Sequence, residues 1–225
     1  MLNYLKKIFS IFLIFNLTFV SSAQAAATFS DKNGDGTGFD VSSQEIFPTG
    51  IAFNNDGTKM FIVGNTGDDV NEYILSTPFD VSTSTFRDIN GDGTGFNVSS
   101  QDETPIGLKF NNDGTKMFVV GNDGDDINEY ILSTPFDVKS AKFVDRFSVN
   151  SEDTTPIGIA FNNDGTKMFV LGHAGVDINE YTLSTGFDIK STVSFVDSFD
   201  ISSQETIPRD LVFNNDGTKM FVVGT

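Results

Sequence analysis

The stretch DINGDGTGFN at residues 88–97, with its near copy DKNGDGTGFD at 31–40, holds the residue types best suited to chemistry in this chain. Asp88, Asn90 and Asp92 alternate, so three oxygen donors can face one centre. Gly93 then permits the sharp turn that follows them, as at positions 1, 3, 5 and 6 of a calcium loop. Asp31, Asn33 and Asp35 repeat the arrangement. The second half of such a loop is unmatched, because Ser99 and Ser42 stand at position 12, where a bidentate glutamate belongs. Two readings stay open: weak calcium sites at Asp31, Asn33, Asp35 and at Asp88, Asn90, Asp92, completed by Asp40, Asp102 or water, or plain Asn-Gly and Asp-Gly turns.

Other chemistry-bearing residues are tied to an internal repeat. FNNDGTKMF occurs four times, beginning at Phe53, Phe110, Phe161 and Phe213, with spacings of 57, 51 and 52 residues. Lys59, Lys116, Lys167 and Lys219 recur at the same turn exit, which argues for a structural role over four identical catalytic amines. Asp69, Asp126 and Asp177 recur before a strand and are expected to cap the turn there. His173, the only histidine, aligns with Asn65 and Asn122 and so occupies a variable loop position. No Ser-His-Asp set and no phosphate-cradling glycine loop can be assembled, and no catalytic residue is assigned.

Each repeat of about 51–57 residues offers four short strands. KMFIVG, KMFVVG and KMFVLG are unbroken apolar runs bounded by turn residues, as in strands buried on both faces. DINEYIL alternates, with Ile127, Glu129 and Ile131 on one side and Asn128, Tyr130 and Leu132 on the other, which suits a strand nearer the rim. Between the first two strands, NDG suits a tight hairpin. Aligning Phe86 with Phe143 and Phe96 with Phe147 makes Ile89–Thr94 a six-residue insertion in an outer strand, where a loop costs least.

Four-stranded units at this period predict an all-β protein, a β-propeller with about four blades present and one of them incomplete. The stretch PIGIAFNNDGTKMFVLG (156–172) resembles the P-x-G-x-A-x-S-P-D-G-K-x-x-x-V run of lactonase-like, YVTN-type propellers, and more distantly WD-type repeats. The resemblance runs from about Thr28 onward, with NNDGT in place of SPDGK and the lysine shifted by one. Adjacent Asp164 and Gly165 set the turn apart from the sialidase Asp-box. The inserted loops are similar to FG-GAP and dockerin-like loops, except that Phe96 and Phe39 replace the acid that FG-GAP places at position 9. Three accounts of the last blade follow, in order: a fragment of a longer propeller, a four-bladed ring that closes imperfectly, or two chains that complete each other. The early outer strand TFSDKNGDGTGFDVSS suits a closing role, and an open blade edge invites self-association.

The first 25 residues read as a Sec-type signal peptide. Lys6 and Lys7 precede an apolar run from Ile8 to Val20, and Ala23, Gln24 and Ala25 form the cleavage site. The mature chain, 26–225, is expected to be secreted, periplasmic or at the cell surface, with no membrane span. The absence of cysteine excludes disulfides and a cysteine-linked lipid anchor. A net charge of −17 argues against nucleic acid as a partner. The expected function is non-catalytic binding, adhesion or scaffolding toward a protein or glycan. The resemblance implies an alternative, a lactonase-like or other hydrolase whose site lies mainly in blades not present in this chain.

Overall fold

The structure, a computed structural model, describes residues 38–225. The signal peptide and Asp31, Asn33 and Asp35 lie outside the described residues. The first blade is built of β1 (Pro48–Phe53), β2 (Lys59–Gly64), β3 (Asp69–Leu75) and β4 (Ser84–Phe86), with a short β5 (Phe96–Asn97) also paired to β3. β6 (Pro105–Phe110), β7 (Lys116–Gly121), β8 (Asp126–Leu132) and β9 (Ala141–Ser148) make the second. The third holds β10 (Pro156–Phe161), β11 (Lys167–Gly172), β12 (Asp177–Leu183) and β13 (Val193–Asp200). β14 (Pro208–Phe213) pairs with β15 (Met220–Gly224) in a fourth sheet. Every pairing is antiparallel and, apart from β5, which continues the outer strand along β3, joins strands consecutive in the chain; the first strand of each sheet packs on the first strand of the next. This is a β-propeller, whose first strands lie nearest the axis. Among the described residues the only helical turns are two short 3₁₀ segments.

The hairpin between first and second strands is one device used four times. In the second blade Gly114 N donates to Asn111 O at 3.1 Å, and Asp113 Oδ1 accepts from Thr115 N at 2.9 Å. Gly114 closes the turn at φ +72°, the left-handed conformation that favours glycine. Of the KMF strands, β2, β7 and β11 are buried on both faces as expected, whereas β15 leaves Phe221 and Val223 exposed. In β2, Phe61 and Val63 face the second blade while Met60 and Ile62 face the opposite side. The alternation of DINEYIL does not leave a wet face. β8 buries Asn128 and Glu129 as well as its apolar residues, because neighbouring blades cover both sides of the sheet. Tyr130 packs toward the first blade and Ile127 toward the third.

The buried glutamate explains the recurrent lysine. Lys116 Nζ lies 2.7 Å from Glu129 Oε1, across the β7–β8 pair, and also donates to Phe187 O of the third blade at 2.7 Å. Glu129 Oε2 accepts from Ile189 N of that blade at 2.9 Å. The first blade grips the second in the same way. Lys59 Nζ meets Glu72 Oε1 at 2.8 Å and Phe136 O at 2.7 Å, while Glu72 Oε2 accepts from Val138 N at 3.3 Å. Arg87 joins this group, 2.9 Å from Glu72 and 2.8 Å from Asp137. Each clip thus holds both a carbonyl and an amide of the next blade's connection between third and fourth strands.

Removing one partner of a buried pair leaves an uncompensated charge. Glu129→Ala is therefore expected to lose about 3–5 kcal/mol in urea unfolding. In the third blade the Glu180 side chain is 26% exposed and Lys167 48%, so Glu180→Ala should cost less than about 1 kcal/mol. Equal losses for the two variants would refute the clip as the inter-blade lock.

Candidate functional site

Two ends of the propeller carry the remaining polar groups. One end bears the turns between second and third strands, and there the fastening acids are Glu45 and Asp153, with Asp102 at the equivalent position of the second blade. Glu45 Oε1 accepts from Phe47 N at 2.7 Å and Thr66 N at 3.2 Å, and its Oε2 from Gly67 N at 3.3 Å. Asp153 accepts from Thr155 N at 2.6 Å and Gly175 N at 2.7 Å, and Asp102 from Thr104 N at 2.7 Å. The expectation that Asp69, Asp126 and Asp177 cap these turns is thereby corrected. They begin β3, β8 and β12, and their carboxylates turn toward the outer strand or their own strand: Asp69 accepts from Gly95 N at 3.2 Å, Asp126 lies 3.6 Å from Arg146 Nε, and Asp177 accepts from Asn179 Nδ2 at 2.9 Å.

The inserted loop sits on this end of the first blade. Pairing of Tyr73 with Phe86 and of Val70 with Phe96 matches that of Tyr130 with Phe143 and of Ile127 with Phe147, so residues 89–94 interrupt the outer strand where the repeat alignment places them. Ile89 roots the loop in the core against Val98 and neighbours. Asp88 Oδ1 accepts from Gly91 N at 2.6 Å and Asn90 N at 3.3 Å, and Oδ2 from Gly93 N at 3.1 Å. Asp92 Oδ1 accepts from Thr94 N at 3.0 Å and Thr94 Oγ1 at 2.7 Å, and Asn90 Nδ2 donates to Gly95 O at 3.3 Å. The three candidate ligands thus sit in one loop, with the loop's own amides on both Asp88 oxygens. Among the described residues no three His, Cys, Asp or Glu side chains group as a metal site.

Beside the loop, Asp69 is buried with Oδ1 unpartnered. Burial holds its carboxyl above the ordinary range, and the Gly95 amide opposes that shift. In the second blade Asp126 is also raised by burial, but there Arg146 pulls it down. The insertion puts Gly95 where the short repeat has Arg146, which removes the compensating cation.

At the other end lie the NNDGT turns, joined by an amide ladder. Asn55 Nδ2 donates to Asn112 O at 2.6 Å, Asn112 Nδ2 to Asn163 O at 2.6 Å, and Asn163 Nδ2 to Asn215 O at 2.9 Å. Two grooves open beside the ladder. One of about 330 Å³ includes Phe53, Phe110, Asn112 and Phe136, one of about 490 Å³ includes Phe161, Asn163, Phe213 and Asn215, and both include Lys109. The first strands of all four sheets line a common axial crevice that holds Lys109, Arg209 and Asp210. Crowding raises the Asp210 carboxyl and Lys109 lowers it. Sequence reasoning missed these three. The available sign was their departure from the repeat, PIGLKF and PRDLVF against PIGIAF.

Against known proteins, no family model matches the sequence, and no curated protein matches it. Solved structures do match in shape. A putative 6-phosphogluconolactonase from Bacteroides uniformis gives a TM-score of 0.54 at 12% identity, over 78% of this chain and 46% of that one. Virginiamycin B lyase from Staphylococcus aureus gives 0.50 at 14% identity, over 81% and 50%. The nidogen/laminin complex gives 0.53 at 12% identity, over 79% and 56%. The likeness is one of fold. This chain spans about half the length of these structures.

Two measurements test the loop and its neighbour. Because the folded Asp69 pKa is raised, the native state binds the proton more tightly, and Asp69 withdraws stability as pH rises from the unfolded value through the folded one. Asp69→Asn should therefore gain stability relative to wild type across that window and hold the gain above it, in denaturation at a series of pH values. Asp88→Ala should lose about 1 kcal/mol, because the loop amides it holds are exposed and water takes its place. A loss equal in calcium and in chelator identifies the hydrogen-bonded turn, whereas a melting temperature raised by millimolar calcium and lowered again in Asp92→Ala identifies an ion site.

Proposed function

We propose that the chain is an exported, non-catalytic β-propeller that binds a glycan outside the cell, through the face carrying the asparagine ladder. The observation that carries this reading is where the reactive side chains go. The lysines and glutamates of the first two blades lock blades together, and Glu45 and Asp153 fasten turns. His173 donates its backbone amide to Thr155 O, and its buried Nδ1 has no hydrogen-bond partner. Beside the ladder lie exposed asparagines, the half-exposed Lys109 and the edges of half-buried phenylalanine rings, a mixture of apolar surface and polar groups suited to a neutral or acidic sugar. A weak calcium ion at Asp88, Asn90 and Asp92 belongs to the same reading, as an aid to stability at extracellular calcium levels. Export rests on the basic start, apolar run and Ala23-Gln24-Ala25 of the leader.

A second reading is favoured by the similarity to putative 6-phosphogluconolactonases, namely lactone hydrolysis at the axis with Lys109, Arg209 and Asp210 taking part. The two separate on assay. Glycan-array binding should fall about tenfold in Lys109→Ala, a change of about 1.4 kcal/mol, with no lactone turnover by wild type. Turnover abolished by Asp210→Asn would replace binding with catalysis. Mass analysis of the exported protein should show a chain beginning at Ala26.

A further inference from the structure

We propose that the uncovered side of the third blade, together with the free edge of β15, is a docking surface for the outer hairpin of a further repeat of the same kind. Its occupant has an Asp-x-Asn-Glu-Tyr strand and a Thr-Pro-Phe-Asp-Val connection. Four features of this surface have counterparts elsewhere in the molecule that are already filled by such a hairpin, and each filled counterpart states what the surface lacks.

The first is the clip. Lys59 and Lys116 each hold a carbonyl of the next blade's connection, Phe136 O and Phe187 O, at 2.7 Å, and Glu72 and Glu129 hold its amides. Lys167 and Glu180 form the same pair at 2.7 Å, but no such connection covers them among the described residues, and Glu180 is 26% exposed against 0% and 2% for the other two. The second is the aromatic row. Phe110 stacks on Phe61 at 4.6 Å and on Phe136 at 5.3 Å, and Phe161 on Phe118 at 4.7 Å and on Phe187 at 5.2 Å. Phe213 stacks on Phe169 at 4.7 Å, and the connection ring that would complete its row is missing from the described contacts.

The third is the turn glycine. The rings of Phe79, Phe136 and Phe187 lie against Gly57, Gly114 and Gly165, on the side where a Cβ would stand, whereas Gly217 has nothing within 4 Å there. The fourth is the outer-strand ring. Phe39, Phe96 and Phe147 each meet the tyrosine of the following blade, Tyr73, Tyr130 and Tyr181, edge-on at 5.5, 5.7 and 5.5 Å. Phe199, in the register of Phe147, is 61% exposed. Phe199, Glu180, Phe213, Gly217 and Met220 line one groove of about 360 Å³. A ring, a carbonyl, an amide and a tyrosine are thus wanted in the order and spacing that Glu-Tyr and Phe-Asp-Val supply. β15 pairs only with β14 among the described residues and leaves an edge for the strand.

The occupant comes from another repeat unit and not from a second copy of this chain. All three strands of the Asn-Glu-Tyr type, β3, β8 and β12, already pair on both edges within their own blades, so lending one would dismantle its own sheet.

The probe is a labelled synthetic peptide with the sequence of residues 126–148, titrated into the protein and read by fluorescence anisotropy. Saturable one-to-one binding is expected. It should weaken about tenfold or more, about 1.4 kcal/mol, in the protein variant Glu180→Gln and, separately, in a peptide carrying Phe136→Ala or Tyr130→Ala. Glu180→Gln retains the packing of the third blade, and circular dichroism checks that it stays folded. Absence of binding, or equal affinity for wild type and Glu180→Gln, overturns the proposal. Sedimentation without peptide should show no concentration-dependent dimer, and a dimer that the peptide dissolves would make a second copy the occupant and overturn the assignment made here.

Discussion

Burying a carboxylate between two β-sheets is the constraint on which the rest of this structure depends. Glu72 and Glu129 are shut away from water between blades, where an uncompensated charge would cost more than a well-packed side chain returns. Each is met by a lysine across its own hairpin and by an amide of the following blade. The lysine in turn satisfies a carbonyl of that blade. Such a group tolerates little displacement, so it sets how one sheet sits on the next. Apolar packing around Phe61, Val63 and Met117 supplies attraction that is proportional to area and indifferent to direction. The charged clip supplies the direction.

That demand reaches into the backbone. Phe136 and Phe187 carry the gripped carbonyls, and both take φ near +55°, at 53° and 55°, a conformation costly for a bulky residue. The same twist seats each ring on the glycine of its own hairpin turn and against Phe110 or Phe161. The turn glycine, the connection phenylalanine, the lysine and the glutamate are therefore one unit spread over two blades. Their co-occurrence in successive repeats is what mutual dependence requires, because each local choice supports the same global arrangement. At the opposite end Glu45 and Asp153 do for the turns what the clips do for the blades, with fewer partners.

Much of the architecture was legible in the residues. The unbroken KMF runs marked strands covered on both faces, the period marked repeated four-stranded units, and the alignment of Phe86 and Phe96 with Phe143 and Phe147 located the insertion in an outer strand. The clip is not legible, although its lysine recurs at every turn exit. Alternation in DINEYIL reads as a strand near the rim with one polar group on each side, and only when blades stack does Glu129 become an interior charge that must be neutralised. The role of Asp69 was misread for a related reason. Turn chemistry is usually local, yet the turn at Thr66 and Gly67 is tied to Glu45 from the preceding connection, which leaves Asp69 to the outer strand. For the candidate site, the loop donors were visible as a pattern, while Lys109, Arg209 and Asp210 needed the four first strands to be brought around one crevice.

The repeats also separate what the fold dictates from what it leaves open. Positions in the clip and the turns are nearly invariant between repeats because each has a partner on a neighbouring element to satisfy. At the register position opposite Phe61, Phe118, Phe169 and Phe221 stand Ala52, Lys109, Ala160 and Val212. Alanine, lysine and valine have no shared packing requirement, so the fold does not choose among them. A lysine there keeps its charge near the axis, beside Asp210 and the asparagine ladder, without serving any blade contact that the other three repeats need. The inserted loop is of the same kind, since the second repeat builds its outer strand without it. Functional specificity in a molecule assembled from near-identical units has to reside at such departures, and here they fall at the axial crevice and on the rim of the first blade.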